Sequence, residues 1–478
     1  MCKKTMLFYG LIAILLFCIS PCFAQKKTKI ACVGNSITYG ATIENRINYS
    51  YPAQLASLLG EGYEVRNYGK NSATLLKKGN LPYISTQEYE QTLEFMPDWV
   101  FIKLGTNDSK PDNRVFLSDF IEDYKQLIRS FTQLSSHPRI VLLLPLPAFC
   151  VGDKGITADV IEKEIIPQIR ELAFETGIEI IDLHQIFIDS LTLFTDGIHP
   201  SASGATRIAK YLYDYITTPR ETKFQLTIQL PNEATSFNFY GFHGYTFEFN
   251  GRQAKVVIPK YTAKDKPWIW RARFWGHEPQ VDIALLERGF HLVYCDVSEL
   301  FGNEEALNLW DRFYLFLTQA GLAPKSVMEG LSRGGFYLYR WVAKYPQRVQ
   351  AIYADAPVLD IKSWPGGQGT GKGSPQDWEI FKTDFQLKDD KSALTFKGNP
   401  VNLTREIIRA NCPILHVVGD ADDIVPVSEN TALFEKKMKK RNHPIRVIHK
   451  KGIGHHPHSL QNPQPIVEFI LKAYTEKK

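Results

Sequence analysis

The stretch Ile30-Ala31-Cys32-Val33-Gly34-Asn35-Ser36-Ile37-Thr38 decides how the chain is read. Its first four residues form a short apolar run, consistent with a buried strand. Gly34 and Asn35 break the run, and Ser36 follows at once. Open α/β sheets bind ligands at the carboxyl ends of their strands, where a serine on such a turn is exposed. Ser36 therefore reads as a candidate nucleophile, or as a helix N-cap, a position serine also favours. The surrounding sequence has to decide between them.

Beyond this stretch, apolar runs and helical patterns alternate. Strands are expected at 30–33, 63–67, 99–104, 140–146 and 178–183, with helices at 51–59, 116–134, 159–176 and 202–216. Such alternation predicts a parallel sheet covered on both faces. Three further signals fall after these strands: Gly69 in Asn67-Tyr68-Gly69, Asn107 in Gly105-Thr106-Asn107-Asp108, and Asp196 with His199 in Asp196-Gly197-Ile198-His199-Pro200. Each alone reads as a turn residue or a structural histidine. Together they supply what acyl transfer needs. His199 takes the Ser36 proton and Asp196 orients the imidazole. The Ser36 and Gly69 N–H groups and the Asn107 amide would hold the oxyanion.

With these four blocks in order, residues 28–218 resemble an SGNH hydrolase of the GDSL esterase superfamily. Gly34-Asn35-Ser36-Ile37 stands where the family has Gly-Asp-Ser-Leu. The resemblance implies a flavodoxin-like three-layer α/β sandwich with Ser36 as nucleophile.

A polar segment with Pro219 and Pro231 follows, so the expected division is a first domain at 26–218 and a second at 219–478. In the second, Gly330-Leu331-Ser332-Arg333-Gly334 is a G-x-S-x-G sequence between a strand-like run at 326–330 and a helical pattern at 335–345. That setting suits a nucleophile elbow. Gly419-Asp420-Ala421-Asp422-Asp423 and Gly452-Ile453-Gly454-His455-His456-Pro457-His458 come later, each after an apolar strand or before the last helix. The order Ser, Asp, His resembles an α/β-hydrolase of the esterase or prolyl-oligopeptidase-like kind. By that resemblance Ser332 is the nucleophile and Asp422 the acid, with Asp420 and Asp423 as loop charges. His455 is the base, with His456 as its rival. The oxyanion hole would use the Arg333 N–H and a donor near Arg273-Phe274-Trp275.

Composition narrows the partners. A formal charge of +5 over 478 residues, without a basic stripe, argues against nucleic acid. Lys3 and Lys4, the apolar run 6–18 and Cys22-Phe23-Ala24 read as a signal peptide over 1–24, hence a secreted or periplasmic protein. The segment Ile19-Ser20-Pro21-Cys22 also loosely fits a lipidation site, against which Pro21 argues. No other run is long enough for a transmembrane helix. Cys32, Cys150, Cys295 and Cys412 read as buried thiols. No Cys/His spacing suggests zinc and no nucleotide loop appears, so neither metal nor cofactor is expected.

Seven of the eight tryptophans lie in the second part. Trp268, Trp270 and Trp275 flank the expected oxyanion loop, while Trp364 and Trp378 fall in a Gly-rich insertion at 362–402. These rings suit either sugar faces or a core. Arg271 and Arg273 suit either an acidic sugar or salt bridges. The expectation is a secreted bifunctional serine esterase that removes acyl groups, acetyl first among them, from carbohydrates. Arg273 and Trp275 would contact the substrate. The alternative is a single-site SGNH acetylesterase whose C-terminal part binds glycan or acts as a peptidase-like hydrolase.

Overall fold

The computed structural model describes residues 26–149, 155–221 and 224–475. The expected signal peptide, Cys22 and Cys150 lie outside them.

The first sheet has five parallel strands, β1 (Thr28–Gly34), β2 (Tyr63–Gly69), β3 (Trp99–Lys103), β4 (Arg139–Leu143) and β5 (Glu179–Ile181), in the order β2-β1-β3-β4-β5. The order reverses beside β1, so Ser36 stands at the switch point where such sheets bind ligands. On one face, Ile30, Cys32 and Phe101 pack against helices α1 (Tyr51–Leu59) and α4 (Ala202–Thr217). On the other, Ala31, Val33, Val100 and Ile102 meet α2 (Phe120–Thr132) and α3 (Ile166–Thr176). Alternate residues of each strand thus serve opposite layers. This is the flavodoxin-like three-layer sandwich.

The second sheet has nine strands. An antiparallel meander, β6 (Thr235–Phe239), β7 (Phe242–Phe249) and β8 (Arg252–Ile258), leads into parallel strands β9 (Trp268–Arg271), β10 (His291–Cys295), β11 (Ser326–Leu331), β12 (Val349–Asp355), β13 (Ile414–Gly419) and β14 (Arg446–Lys450). Their order is β14-β13-β12-β11-β9-β10-β8-β7-β6. Helices α5 (Gln280–Glu287), α6 (Glu304–Gln319), α7 (Arg333–Lys344), α8 (Pro375–Asp384), α9 (Thr431–Lys439) and α10 (Gln464–Thr475) cover it. This is an α/β-hydrolase arrangement. Strands β6 and β14 lie at the sheet edges and carry little continuous apolar sequence.

The tryptophans settle one open choice. Trp268, Trp270, Trp310 and Trp341 are fully buried, with Trp270 ring centroids 5.0 Å from Trp310 and 5.3 Å from Trp341. They form the core rather than a sugar platform. Arg271 is buried too, paired with Asp282 at 2.7 Å and Glu329 at 3.3 Å, so it is not available to an acidic sugar. Burial beside Asp282 pushes the Glu329 carboxyl well above the usual range. Cys32, Cys295 and Cys412 are buried, and burial pushes the Cys32 and Cys295 thiols up to about 12.

The two sheets share a packed junction. One apolar cluster runs from Ile165 and Ile169 in the first part to Ile283, Leu286 and Ile466 in the second. At its edge Glu287 accepts from the Asp182 N–H at 2.6 Å and from the Tyr211 hydroxyl, while Arg288 donates to the Tyr211 oxygen at 2.7 Å.

Candidate active sites

The first site is built on the end of β1. A Cβ on Gly34 would stand 2.2 Å from Thr38 Oγ1 and 2.8 Å from Lys103 O, so only glycine lets the chain turn here. Asn35 is buried and its Oδ1 accepts from the Ile37 N–H at 3.1 Å, capping the short turn that carries Ser36. This caps the turn with the residue before the serine, leaving the Ser36 hydroxyl available. His199 Nε2 lies 2.8 Å from Ser36 Oγ, and His199 Nδ1 lies 2.8 Å from Asp196 Oδ2. Asp196 Oδ1 accepts from the Ile198 and His199 N–H groups at 3.1 and 2.8 Å. Three residues of spacing therefore suffice to fix both the acid and the ring.

Behind the serine, Asn107 Nδ2 donates to Ala73 O at 2.9 Å, which leaves its second N–H for a substrate. Asp108, not singled out by the sequence, holds this loop: its carboxylate accepts from the Leu75 and Leu76 N–H groups at 3.1 and 2.8 Å. Burial pushes Asp108 up to about 6, against those two hydrogen bonds. Gly69 is placed differently from the expectation. Its N–H donates to Asn67 Oδ1 at 2.9 Å, and a Cβ there would stand 2.1 Å from Tyr39 N. It is a close-packing glycine whose N–H already has an acceptor. On the same loop Ser72 turns at φ +65° beside Ala73.

The second site repeats the logic on β11. Ser332 sits at φ +49°, ψ −123° between β11 and α7, the strained conformation of a sharp strand-to-helix turn. Close packing demands the flanking glycines: a Cβ on Gly330 would stand 2.9 Å from Gly334 C, and one on Gly335 would stand 2.4 Å from Pro357 Cβ. His455 Nε2 lies 2.9 Å from Ser332 Oγ and its Nδ1 lies 2.7 Å from Asp422 Oδ2. Asp422 Oδ1 accepts from the Ile424 and Val425 N–H groups at 2.9 and 2.8 Å. Asp420 faces His449 at 2.7 Å and Asp423 pairs with Lys372, so both stay outside the triad. His456 is exposed, and its ring centroid is 5.0 Å from that of His455.

The remaining expectations separate. Arg333 is the first residue of α7, where backbone N–H groups lack helical partners. Its side chain pairs with Asp377 and lies 5.0 Å over the Phe301 ring and 5.6 Å over Trp364. The backbone after β9 meets the elbow: a Cβ on Gly334 would be 3.3 Å from Arg273 Cβ and 3.6 Å from Arg273 N. The Arg273 guanidinium donates to Ser298 O. Trp275 is drawn into the meander, its ring 5.3 Å from Phe239 and 5.6 Å from Tyr294, with Lys255 Nζ 5.4 Å over it. That packing takes it away from a role as an open substrate platform. Half-buried Trp364, beside Arg333, is the ring the sequence placed in the insertion that remains near the elbow.

Each sheet thus presents a Ser-His-Asp arrangement at its strand ends. Residues 32–207 match the GDSL-like Lipase/Acylhydrolase family and residues 317–475 match the Prolyl oligopeptidase family. The chain is thus a GDSL-like acylhydrolase domain followed by a prolyl oligopeptidase-family α/β-hydrolase domain. Among curated proteins it is similar to an acetylxylan esterase of Xylanibacter ruminicola, 39% identical over 210 residues, 40% of this chain and 44% of that one. It is also similar to the acylamino-acid-releasing enzyme of Homo sapiens, 26% identical over 132 residues, 26% of this chain and 17% of that one. The chain thus spans less than half the length of either relative. Among solved structures, a carbohydrate acetylesterase from Sinorhizobium meliloti overlaps 40% of this chain and 98% of its own, at 19% identity and a TM-score of 0.33.

Proposed function

We propose that the chain is an exported carbohydrate esterase with two acyl-transfer centres, Ser36-His199-Asp196 and Ser332-His455-Asp422. In each, the serine Oγ attacks an ester carbonyl while its proton passes to imidazole Nε2. The carbonyl oxygen becomes an oxyanion held by aimed N–H donors. Collapse expels the sugar alcohol, which takes the imidazole proton, and water then releases the acid by the same steps. In the first centre the donors are the Ser36 N–H, the Asn107 amide and the Ser72 N–H, the last in place of Gly69. In the second they are the Arg333 N–H and the backbone at Arg273.

The observation that carries this reading is the pair of serine-to-imidazole contacts, 2.8 Å in one module and 2.9 Å in the other. Acetylated carbohydrate as substrate is supported by the likeness to an acetylxylan esterase. Export is supported by the sequence of residues 1–24. Tethering two esterases raises the local concentration of the second on a shared polymer.

A second reading applies to the C-terminal module alone. Its family match and its likeness to an acylamino-acid-releasing enzyme support amide hydrolysis at Ser332. Acetate release from acetylated xylan, aryl-ester hydrolysis and acyl-peptide anilide cleavage, measured for wild type, Ser36→Ala, Ser332→Ala and the double variant, test both readings. The esterase reading expects each single variant to lose a different part of the ester activity and the double variant to lose it all. Ester hydrolysis at full rate in the double variant overturns it. Anilide cleavage that depends on Ser332, with no ester loss in Ser332→Ala, would favour the second reading.

A further inference from the structure

Beside the second triad, three histidines from distant parts of the sequence converge. His277 comes from the loop after β9, and His456 and His458 from the loop that carries His455. One ring nitrogen of each lies within 4.8 Å of the others. The ring centroids are 5.8 Å apart for His277 and His456, 5.8 Å for His277 and His458, and 4.7 Å for His456 and His458.

Buried polar groups build this cluster. His458 is 3% exposed and its Nδ1 lies 2.8 Å from Asp355 Oδ1. Asp355 is fully buried at the end of β12, and its other oxygen accepts from the Ser459 N–H at 2.8 Å and the Tyr353 hydroxyl at 3.1 Å. An acceptor at Nδ1 fixes the hydrogen there and leaves the Nε2 lone pair directed away from the carboxylate. This carboxylate–histidine pairing is the usual support of a metal-ligating imidazole. His277 is held from its backbone: buried Arg271 donates to His277 O at 2.8 Å and to Phe274 O at 3.1 Å. His277 and His456 are exposed, so their rings can rotate and an ion can enter. Zinc–nitrogen bonds of about 2.0–2.1 Å place tetrahedral ligands roughly 3.4 Å apart, so small rotations of these two rings close the set.

We propose that His277, His456 and His458 form a zinc(II) site that straps the loop bearing the base His455 to the loop bearing Arg273. Three neutral imidazoles suit zinc, with a fourth position left for water. The expectation of no metal, read from Cys and His spacing, overlooks this set because its first member comes from a different loop, far back in the sequence. The strap joins the proton-transfer side of the Ser332 centre to its oxyanion side, and zinc bound to the folded chain stabilises it by mass action.

The test uses the full chain with any affinity tag removed and metal stripped. Zinc chloride is titrated by calorimetry, cobalt(II) is added as a coloured probe, and melting is followed with and without zinc. The expected result is one zinc per chain with a dissociation constant below about 10 µM, a tetrahedral cobalt spectrum, and melting raised by several degrees at 100-fold excess over that constant. His277→Ala and His456→Gln, both at exposed rings, should each weaken zinc at least 10-fold while their metal-free melting stays with wild type. No uptake by wild type at 100 µM zinc, or the same affinity in both variants, overturns the site.

Discussion

Ser332 Oγ and His455 Nε2 stand 2.9 Å apart although 123 residues separate them in the chain. The strained elbow presents the serine, and Asp422 fixes the far side of the ring at 2.7 Å. His456, its rival for that role in the sequence, is exposed to solvent.

That contrast predicts a sharp asymmetry. On a Ser36→Ala background, which isolates the second centre, His455→Ala should lower kcat/KM for an aryl ester by roughly 10³-fold or more, as loss of a triad base does. His456→Ala should cost less than about 10-fold. Equal losses in the two variants would return the assignment of the base to an open state.

Lys103 makes a different kind of prediction. It ends β3 fully buried, and its ammonium has no hydrogen-bond partner among the described residues. Burial lowers it from 10.5 to about 7. The unfolded chain keeps that proton up to about 10.5, so between 7 and 10.5 it binds more protons than the folded chain. Stability therefore rises with pH across that window and the charge penalty is constant below it. Lys103→Met should stabilise the protein at pH 7 by roughly 2–4 kcal/mol and flatten the rise, read from urea midpoints at pH 7 and 10.

Glu287 reports on the junction between the modules. Burial, with the Asp182 charge adding to it, pushes its carboxyl from 4.5 up to about 7. Between those values the folded chain binds the extra proton, so stability falls as pH rises through the window. Glu287→Gln should remove roughly 2–3 kcal/mol of that fall while keeping an acceptor for the Asp182 N–H, again read from urea midpoints, here at pH 5 and 8. An unchanged slope would separate this carboxyl from the coupling of the two sheets.

The sequence made the strand-end serines legible because a period-free apolar run, a glycine and a serine leave few alternatives. Ser36 with His199 and Asp196, and Ser332 with Asp422 and His455, are the residues it selected, and each set stands within hydrogen-bond distance. Expected helices at 51–59 and 202–216 correspond to Tyr51–Leu59 and Ala202–Thr217, since their apolar faces are clear. Side-chain direction was not legible. Trp268, Trp270 and Arg271 look like substrate contacts in one dimension, yet β9 is an interior strand covered on both faces, and all three are buried. The destination of a backbone N–H was equally hidden: Gly69 donates to a side chain two residues away. Asp108 needed the loop at residues 75 and 76 folded over it before its role appeared.

On the proposed reading one chain carries two separate serine acyl-transfer centres. Intact-mass measurement after exhaustive reaction with a small phosphonofluoridate tests it most directly, because only a serine activated by its own base is phosphonylated. Two adducts are expected on wild type, one on Ser36→Ala, one on Ser332→Ala and none on the double variant. A single adduct on wild type, or an adduct that survives in the double variant, would contradict it.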